Sequence, residues 1–357
     1  MNQTAGNDSI IGPDHLILVT GASGFIGSRL VAHLIERGFR NIRCFARSSP
    51  ALGRLEALCG SPRNIVKIEV MRGNLLSRDD CTAASASAAV IYHLAAGRGE
   101  KSIPDAFLNS VVTTRNLMEA SLRHHCLRRF VNVSSFTVYT NTQKRKGRLL
   151  DETCPVEQHP EERGDAYSFA KAKQEEIVIE YGRRCGLPYV IVRPGYVYGP
   201  GNEGITGRVG VSTFGIFLHL GGSNKIPFTF VDNCAEAIAL AGLKHGIDGE
   251  IFNVVDDDLP SSRQFLRQYK KNVRDFPSIY VPHAASYALC YFWERYYNWS
   301  QGQLPPAFNR RVWHASWKKT RYSNEKVKSR LGWAPKVPMA EGLRRHFKAC
   351  RDKGYNA

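Results

Sequence analysis

Residues 20–30 read "TGASGFIGSRL", from Thr20 to Leu30. The stretch follows a short apolar run, "HLILV" (His15 to Val19), and opens into the helix-like pattern "SRLVAHLIERG". A strand, a tight turn and a helix N-terminus are therefore expected in succession. Glycines at 21, 24 and 27 let the backbone turn sharply and approach a bound group closely. The helix N-terminus beyond them offers N–H groups and a partial positive charge, which suits a pyrophosphate. The usual dinucleotide fingerprint is G-x-G-x-x-G, and here the middle glycine stands one place later. By itself the stretch reads either as a phosphate-binding turn or as a plain strand-to-helix connection.

Outward from this turn, apolar runs alternate with helical patterns. Candidate strands are Leu16–Val19, Ile42–Ala46, Ile65–Met71, Val90–Leu94, Phe130–Ser134, Tyr189–Arg193 and Ile251–Val255; candidate helices are Ser28–Arg37, Phe107–His124 and Tyr167–Arg183. This spacing predicts an α/β fold, a Rossmann-type doubly wound parallel sheet covered on both faces. After Gly195 the pattern loosens into glycine-rich and proline-broken stretches. The expected organisation is a flexible leader (1–14), a dinucleotide-binding domain (15–195, with later strands from about 229–256), and a smaller interleaved C-terminal substrate domain (mainly 196–357).

The 357 residues are 43% hydrophobic and 23% charged, a soluble globular composition. Of the net charge of +17, residues 257–357 supply +13, from 20 Lys/Arg against 7 Asp/Glu. A basic surface attracts anionic ligands or headgroups, but no nucleic-acid motif accompanies it, and a nucleic-acid partner is not expected. Nine cysteines stand singly, without a C-x-x-C pair or a His cluster at metal spacing. That pattern predicts reduced thiols, a cytoplasmic location and no metal. The polar N-terminus has no signal-peptide pattern. "AASYALCYFW" (Ala284 to Trp293) is too short to span a bilayer, which takes roughly 20 apolar residues. It is expected as a core or pocket helix, with peripheral membrane contact as the alternative.

Two further stretches carry chemistry. In "CFARSS" no acid stands at the end of the second strand, where one would hold a ribose 2′-OH. Arg47, Ser48 and Ser49 stand there instead, and suit a 2′-phosphate, which predicts NADP(H) over NAD(H). In "DAYSFAKAKQEE", Tyr167 and Lys171 are four apart on a helical pattern and share a face. A free tyrosine, with a pKa near ~10, is a poor base at neutral pH. A neighbouring ammonium favours its phenolate, and such a Tyr passes a proton to or from a substrate oxygen. Upstream, "FVNVSSFTVYT" is a strand ending in Ser134 and Ser135, whose hydroxyls would orient that oxygen.

In this order the parts resemble the extended short-chain dehydrogenase/reductase family of NAD(P)-dependent epimerases, dehydratases and reductases. The resemblance spans roughly residues 15–260 through "TGASGFIG", "GNLLSRDD", "VIYHLAA", a helix with Asn109, "VSSFTVY", Tyr167-x-x-x-Lys171 and "RPGYVYGPG". In the family T-G-x-x-G-x-x-G is the normal spacing. The resemblance implies Tyr167 as general acid/base, Lys171 as its partner and ribose holder, Ser135 as the catalytic hydroxyl, and Asn109 in the proton relay. It further implies cofactor contacts from Gly21, Ser23, Gly24, Phe25, Ile26, Gly27, Arg47, Asn74, Leu75, Leu94, Ala95 and Ala96, with Asn74 where the family usually has Asp. His93 reads as a packed, hydrogen-bonded histidine. Homodimers are frequent among family members.

Nucleotide-sugar enzymes of the family often carry Asn in "R-x-F-N-x-x-G"; here Tyr196 takes that place, and Ile226 stands where an Arg would clamp the diphosphate. The pattern looks more like the hydroxysteroid-dehydrogenase and dihydroflavonol-reductase-like branch. Tyr196, Tyr198, Phe214, Phe217 and Phe228 would form an apolar pocket or serve as ordinary core. Arg208, Lys225 and the "KRKGR" run (Lys144 to Arg148) keep an anionic small-molecule substrate open. The leading expectation is hydride transfer between NAD(P) and a secondary alcohol or ketone. Nucleotide-sugar epimerase or dehydratase chemistry with bound NAD is the alternative, and a non-catalytic dinucleotide-binding scaffold the reading from another class.

Overall fold

The computed structural model describes residues 9–47, 67–97, 102–142, 149–213, 215–300 and 308–354. Its strands, in chain order, are β1 (Leu16–Thr20), β2 (Asn41–Ala46), β3 (Lys67–Arg72), β4 (Ala88–His93), β5 (Arg129–Val133), β6 (Leu149–Leu150) and β7 (Tyr189–Pro194), then β8 (Tyr196–Tyr198), β9 (Gly210–Thr213), β10 (Ile216–His219), β11 (Phe228–Phe230), β12 (Ile251–Val254), β13 (Ser278–Tyr280) and β14 (Arg321–Tyr322). Among the described residues, seven of them form one sheet in the order β12-β7-β5-β4-β1-β2-β3, parallel at every pairing. Buried on both faces, β1, β4 and β5 read as continuous apolar runs with few polar exceptions. The strand order reverses between β1 and β4, the switch point where a doubly wound sheet opens a crevice at its carboxyl edge.

Register fixes what reaches that crevice. Thr20 pairs with His93 on one side and Phe45 on the other, so the loops after β1, β2 and β4 leave at one level. The helix Val231–Leu243 packs beside the helix Phe25–Glu36, and β12 then extends the sheet next to β7. The chain thus returns to the first core after β8, β9, β10 and β11 have been laid down. β8 and β11 form a parallel pair, and β9, β10 and β13 a separate three-stranded sheet.

Two expectations change. Residues 9–14 are not a loose leader: Ile10 N donates to Leu243 O at 2.8 Å and Ile11 is buried. The helix His283–Trp299 is not a core helix either, because among its residues only Ser286 and Cys290 are buried. Tyr287 and Trp293 pack half-buried against Trp313 and Phe308, while Leu289, Phe292 and Trp299 face out, where the amphipathic rule for a globular domain would place polar residues.

Candidate active site

The turn after β1 is built as its glycines require. Gly21 takes a φ of +69°, and a Cβ there would stand 2.9 Å from Ala95 N. A Cβ on Gly27 would meet Gly21 O at 2.2 Å, so only glycine lets the helix Phe25–Glu36 close onto the turn. That helix has no side-chain cap and no acid in its first turn. Its N-terminus is thereby left to an anion, and the cradle fits a dinucleotide pyrophosphate.

A cleft of about 840 Å³ runs from this turn along the carboxyl edge of the sheet. Of the residues expected at the site, those that the structure describes line it: Gly21, Ser23, Gly24, Phe25, Ile26, Gly27, Arg47, Asn74, Leu75, Leu94, Ala95 and Ala96, together with Asn109, Ser135, Tyr167 and Lys171. Ser48 and Ser49 lie outside the described residues. Asn74 accepts from Leu76 N through Oδ1, 3.1 Å away, so any contact with a base would come from Nδ2.

Each chemical group is held locally. Asp165 caps the helix Ala166–Cys185, accepting from Tyr167 N and Ser168 N, and so fixes the first turn where Tyr167 sits. Ser135 follows β5, accepts from Thr137 N and lines the cleft half-buried; Ser134 lines it too but is buried, with its N–H bonded to Val192 O. Asn109 stands on a π-helical turn, Phe107–Val112, between the α-helical segments Ile103–Ala106 and Thr113–Leu122. Such wide turns concentrate at functional sites.

Beneath the cleft lies a polar chain that spacing alone did not show. Lys171 Nζ donates to Val133 O at 2.7 Å and to Gln174 Oε1 at 2.9 Å. Gln174 Nε2 donates to Thr114 Oγ1, which itself donates to Ser110 O. The Thr114 hydroxyl proton is thus spent, so His93 Nε2, at 2.8 Å, is the donor to Thr114. His93 Nδ1 then accepts from Thr20 Oγ1, which accepts from Ala95 N. Burial, with the Lys171 ammonium adding to it, pushes the His93 imidazole down to about 3, so this ring is neutral and structural. The chain ties Lys171 to the strand that carries the glycine turn.

A second support was likewise hidden in the sequence. Arg193 makes a fork to Glu175, Nε to Oε1 at 2.9 Å and NH2 to Oε2 at 2.5 Å, and donates to Tyr139 OH at 2.9 Å. Both partners of the ion pair are buried. Burial opposes the guanidinium charge, but the Glu175 carboxylate outweighs it and the Arg193 pKa is raised. Tyr139 is pushed up to about 12 by burial, with Arg193 pulling the other way, and its phenol donates to Asn253 Oδ1. The loop bearing Ser135 is thus anchored to the helix of Tyr167 and to β7 and β12.

The aromatic residues divide. Tyr196 lines the cleft, as do Phe136, Val197, Asn202 and Arg208. Tyr198, Phe217 and Phe228 are core: Tyr198 stacks on Phe228 with ring centroids 4.6 Å apart. Phe214 and the Lys144–Arg148 run lie outside the described residues. Lys225 lines a separate, smaller cavity with Asp257 and Arg321. No group of three or more His, Cys, Asp or Glu that would hold a metal occurs among the described residues.

Fold and cleft define a dinucleotide-binding α/β protein. A family model described as the NAD dependent epimerase/dehydratase family matches residues 17–254, and the chain belongs to that family. It is 26% identical to the 3beta-hydroxysteroid-dehydrogenase/decarboxylase isoform 1 of Arabidopsis thaliana, over 92% of this chain and 78% of that protein. It is also 26% identical to the 2-alkyl-3-oxoalkanoate reductase of Stenotrophomonas maltophilia, over 92% and 97%. Among solved structures it resembles the UDP-glucuronic acid 4-epimerase of Bacillus cereus in complex with NAD, with TM-score 0.69 and 20% identity, over 95% of this chain and 100% of the other. The chain is an enzyme of this superfamily and uses a nicotinamide dinucleotide.

Proposed function

We propose that the enzyme interconverts a secondary alcohol and a ketone on a largely apolar small molecule, preferring NADP(H), with Tyr167 as the general acid/base. The nicotinamide supplies or takes the hydride. Tyr167 passes the proton to or from the substrate oxygen, Ser135 hydrogen-bonds that oxygen, and Lys171 holds the ribose and favours the phenolate. The observation that carries this reading is that Ser135, Tyr167 and Lys171 line the same cleft as the glycine turn.

Arg47, lining the cleft at the end of β2, supports the NADP(H) preference through its match to a 2′-phosphate. Tyr196 in the cleft favours an apolar substrate body, and Arg208, which also lines it, suits a carboxylate or phosphate on the same molecule. Residues 196–357, apart from the segments returning to the first core, supply the substrate side. The described cysteines form no disulfide with one another, in keeping with a reducing, cytoplasm-like compartment.

The test is turnover of wild type and Tyr167→Phe with NADPH or NADH against a panel of apolar ketones, beside UDP-sugars. Tyr167→Phe is expected to bind cofactor normally and lose turnover; unchanged turnover defeats the mechanism. A copurifying, non-exchanging nicotinamide with activity on UDP-sugars alone would mark the epimerase chemistry instead.

A further inference from the structure

The helix His283–Trp299 carries an apolar stripe that is left exposed among the described residues. Ala285, Leu289, Phe292, Tyr296 and Trp299 recur at spacings of four and three, which places them on one face. Leu289, Phe292 and Trp299 are 56%, 64% and 78% exposed, and Ile279 of the adjoining β13 is 54% exposed. Single exposed apolar residues are ordinary, but a contiguous stripe with Trp and Tyr at one end marks an interaction face.

Charge selects the occupant. Residues 276–324 contain six Lys or Arg and one acid, Glu294; Arg311 is paired with Glu157 and Glu162 from outside the stretch, and the exposed cations are Arg295, Lys319 and Arg321. Glu294 is itself paired with Arg310, Oε2 to Nε at 2.7 Å, and Arg295 lies exposed on the helix. A second copy packed about a two-fold axis would set this cationic surface against itself. An anionic lipid surface takes both features, the aromatic stripe at headgroup depth and the cations toward the phosphates. No described helix is long and apolar enough to cross a membrane, so the geometry is that of a helix lying in the interface plane.

We propose that the outer face of His283–Trp299 docks on an anionic lipid bilayer. The helix is coupled to the cleft through one packing layer. Trp313 Nε1 donates to Ser286 Oγ at 2.9 Å, and the helix Arg310–Ser316 presents Ala315 O to Arg208 NH1 at 2.9 Å. Arg208, which lines the cleft, is thus linked to the docking helix through the helix Arg310–Ser316. The proposal stands on the exposed stripe and its charge, independently of the reaction assigned to the cleft.

The test is flotation of the full chain with vesicles of phosphatidylcholine alone or mixed with phosphatidylglycerol. Binding is expected only with phosphatidylglycerol, falling at high salt and falling at least about tenfold in Phe292→Asp/Trp299→Asp. NADPH binding by that double variant, followed by fluorescence, should match wild type because neither residue lines the cleft. In the wild type alone, brominated phosphatidylglycerol should quench tryptophan fluorescence more than the unbrominated lipid does, and Trp299→Phe should remove most of the difference. Absence of wild-type flotation and quenching overturns the proposal. So does flotation unchanged in the double variant, or a lipid-free dimer in sedimentation equilibrium that the double variant dissolves, which would assign the face to a second copy.

Discussion

Lys171 Nζ and Gln174 Oε1 lie 2.9 Å apart on adjacent turns of one helix, and the other end of that amide reaches Thr114. Gln174 fills both roles because its acceptor and donors are separate atoms. Gln174→Leu keeps the bulk and strands the buried Lys171 and Thr114 groups. It is expected to cost about 1–3 kcal/mol of stability in urea unfolding. Lys171→Met should lower turnover by roughly 100-fold or more and move the pH optimum upward, because the phenol loses its neighbouring cation. A pH–rate profile unchanged in Lys171→Met would remove Lys171 from the proton step.

Gly27→Ala puts a methyl group 2.2 Å from Gly21 O, a contact that forces the helix N-terminus away from the turn. Cofactor affinity should fall at least about tenfold, since the helix-end contribution fades within one turn. Gly207→Ala, where a Cβ meets nothing within 4 Å, serves as the control. Titration of nicotinamide fluorescence compares the two, and equal affinities would mean that the turn does not hold the pyrophosphate.

Arg47→Ala should narrow the preference between cofactors. A charge-assisted contact with a 2′-phosphate contributes about 1.5–3 kcal/mol, so KM for NADPH should rise roughly 10- to 100-fold while that for NADH changes little. Steady-state kinetics with both cofactors decides this. A parallel rise for both would place Arg47 on a group the two share.

His93 links the same buried chain to acid stability. Its folded-state pKa, lowered to about 3 by burial and by Lys171, lies below the ordinary histidine value of about 6.5. Between these values the unfolded chain binds the extra proton and the folded protein does not. The contribution is therefore full above about pH 6.5 and is lost as pH falls toward 3, an effect on the order of several kcal/mol. Urea unfolding at successive pH values should show this loss. His93→Gln should be less stable at pH 7 and show a shallower decline between pH 6 and 4.

Glu175→Gln tests the deeper support. With Glu175 neutralised, the buried Arg193 keeps its charge without a counter-ion, which typically costs about 3–5 kcal/mol. Thermal unfolding should register a large fall in Tm. Removing both partners, as Glu175→Leu/Arg193→Met, should recover part of it, and a double variant no better than the single would mean that the Tyr139 contact dominates.

Local chemistry decided much of this protein before any folding. The glycines at 21, 24 and 27, the apolar runs of β1, β4 and β5, and the four-residue step from Tyr167 to Lys171 are short-range signals. The parallel sheet and the sixteen site positions follow from them and from family resemblance, and the tertiary structure gathers those positions into one cleft. Three matters were settled only by the fold. The polar chain through Thr20, His93, Thr114, Gln174 and Lys171 joins residues up to 154 positions apart, which no periodicity reports. Tyr196 lines the cleft while Tyr198, two residues on along β8 and so on the same side of the strand, is buried, because Phe228, Phe230 and His346 pack around its ring. The helix His283–Trp299 has the composition of a core helix but lies outermost. Apolar content states how much surface an element would bury, and the elements around it decide which face remains uncovered.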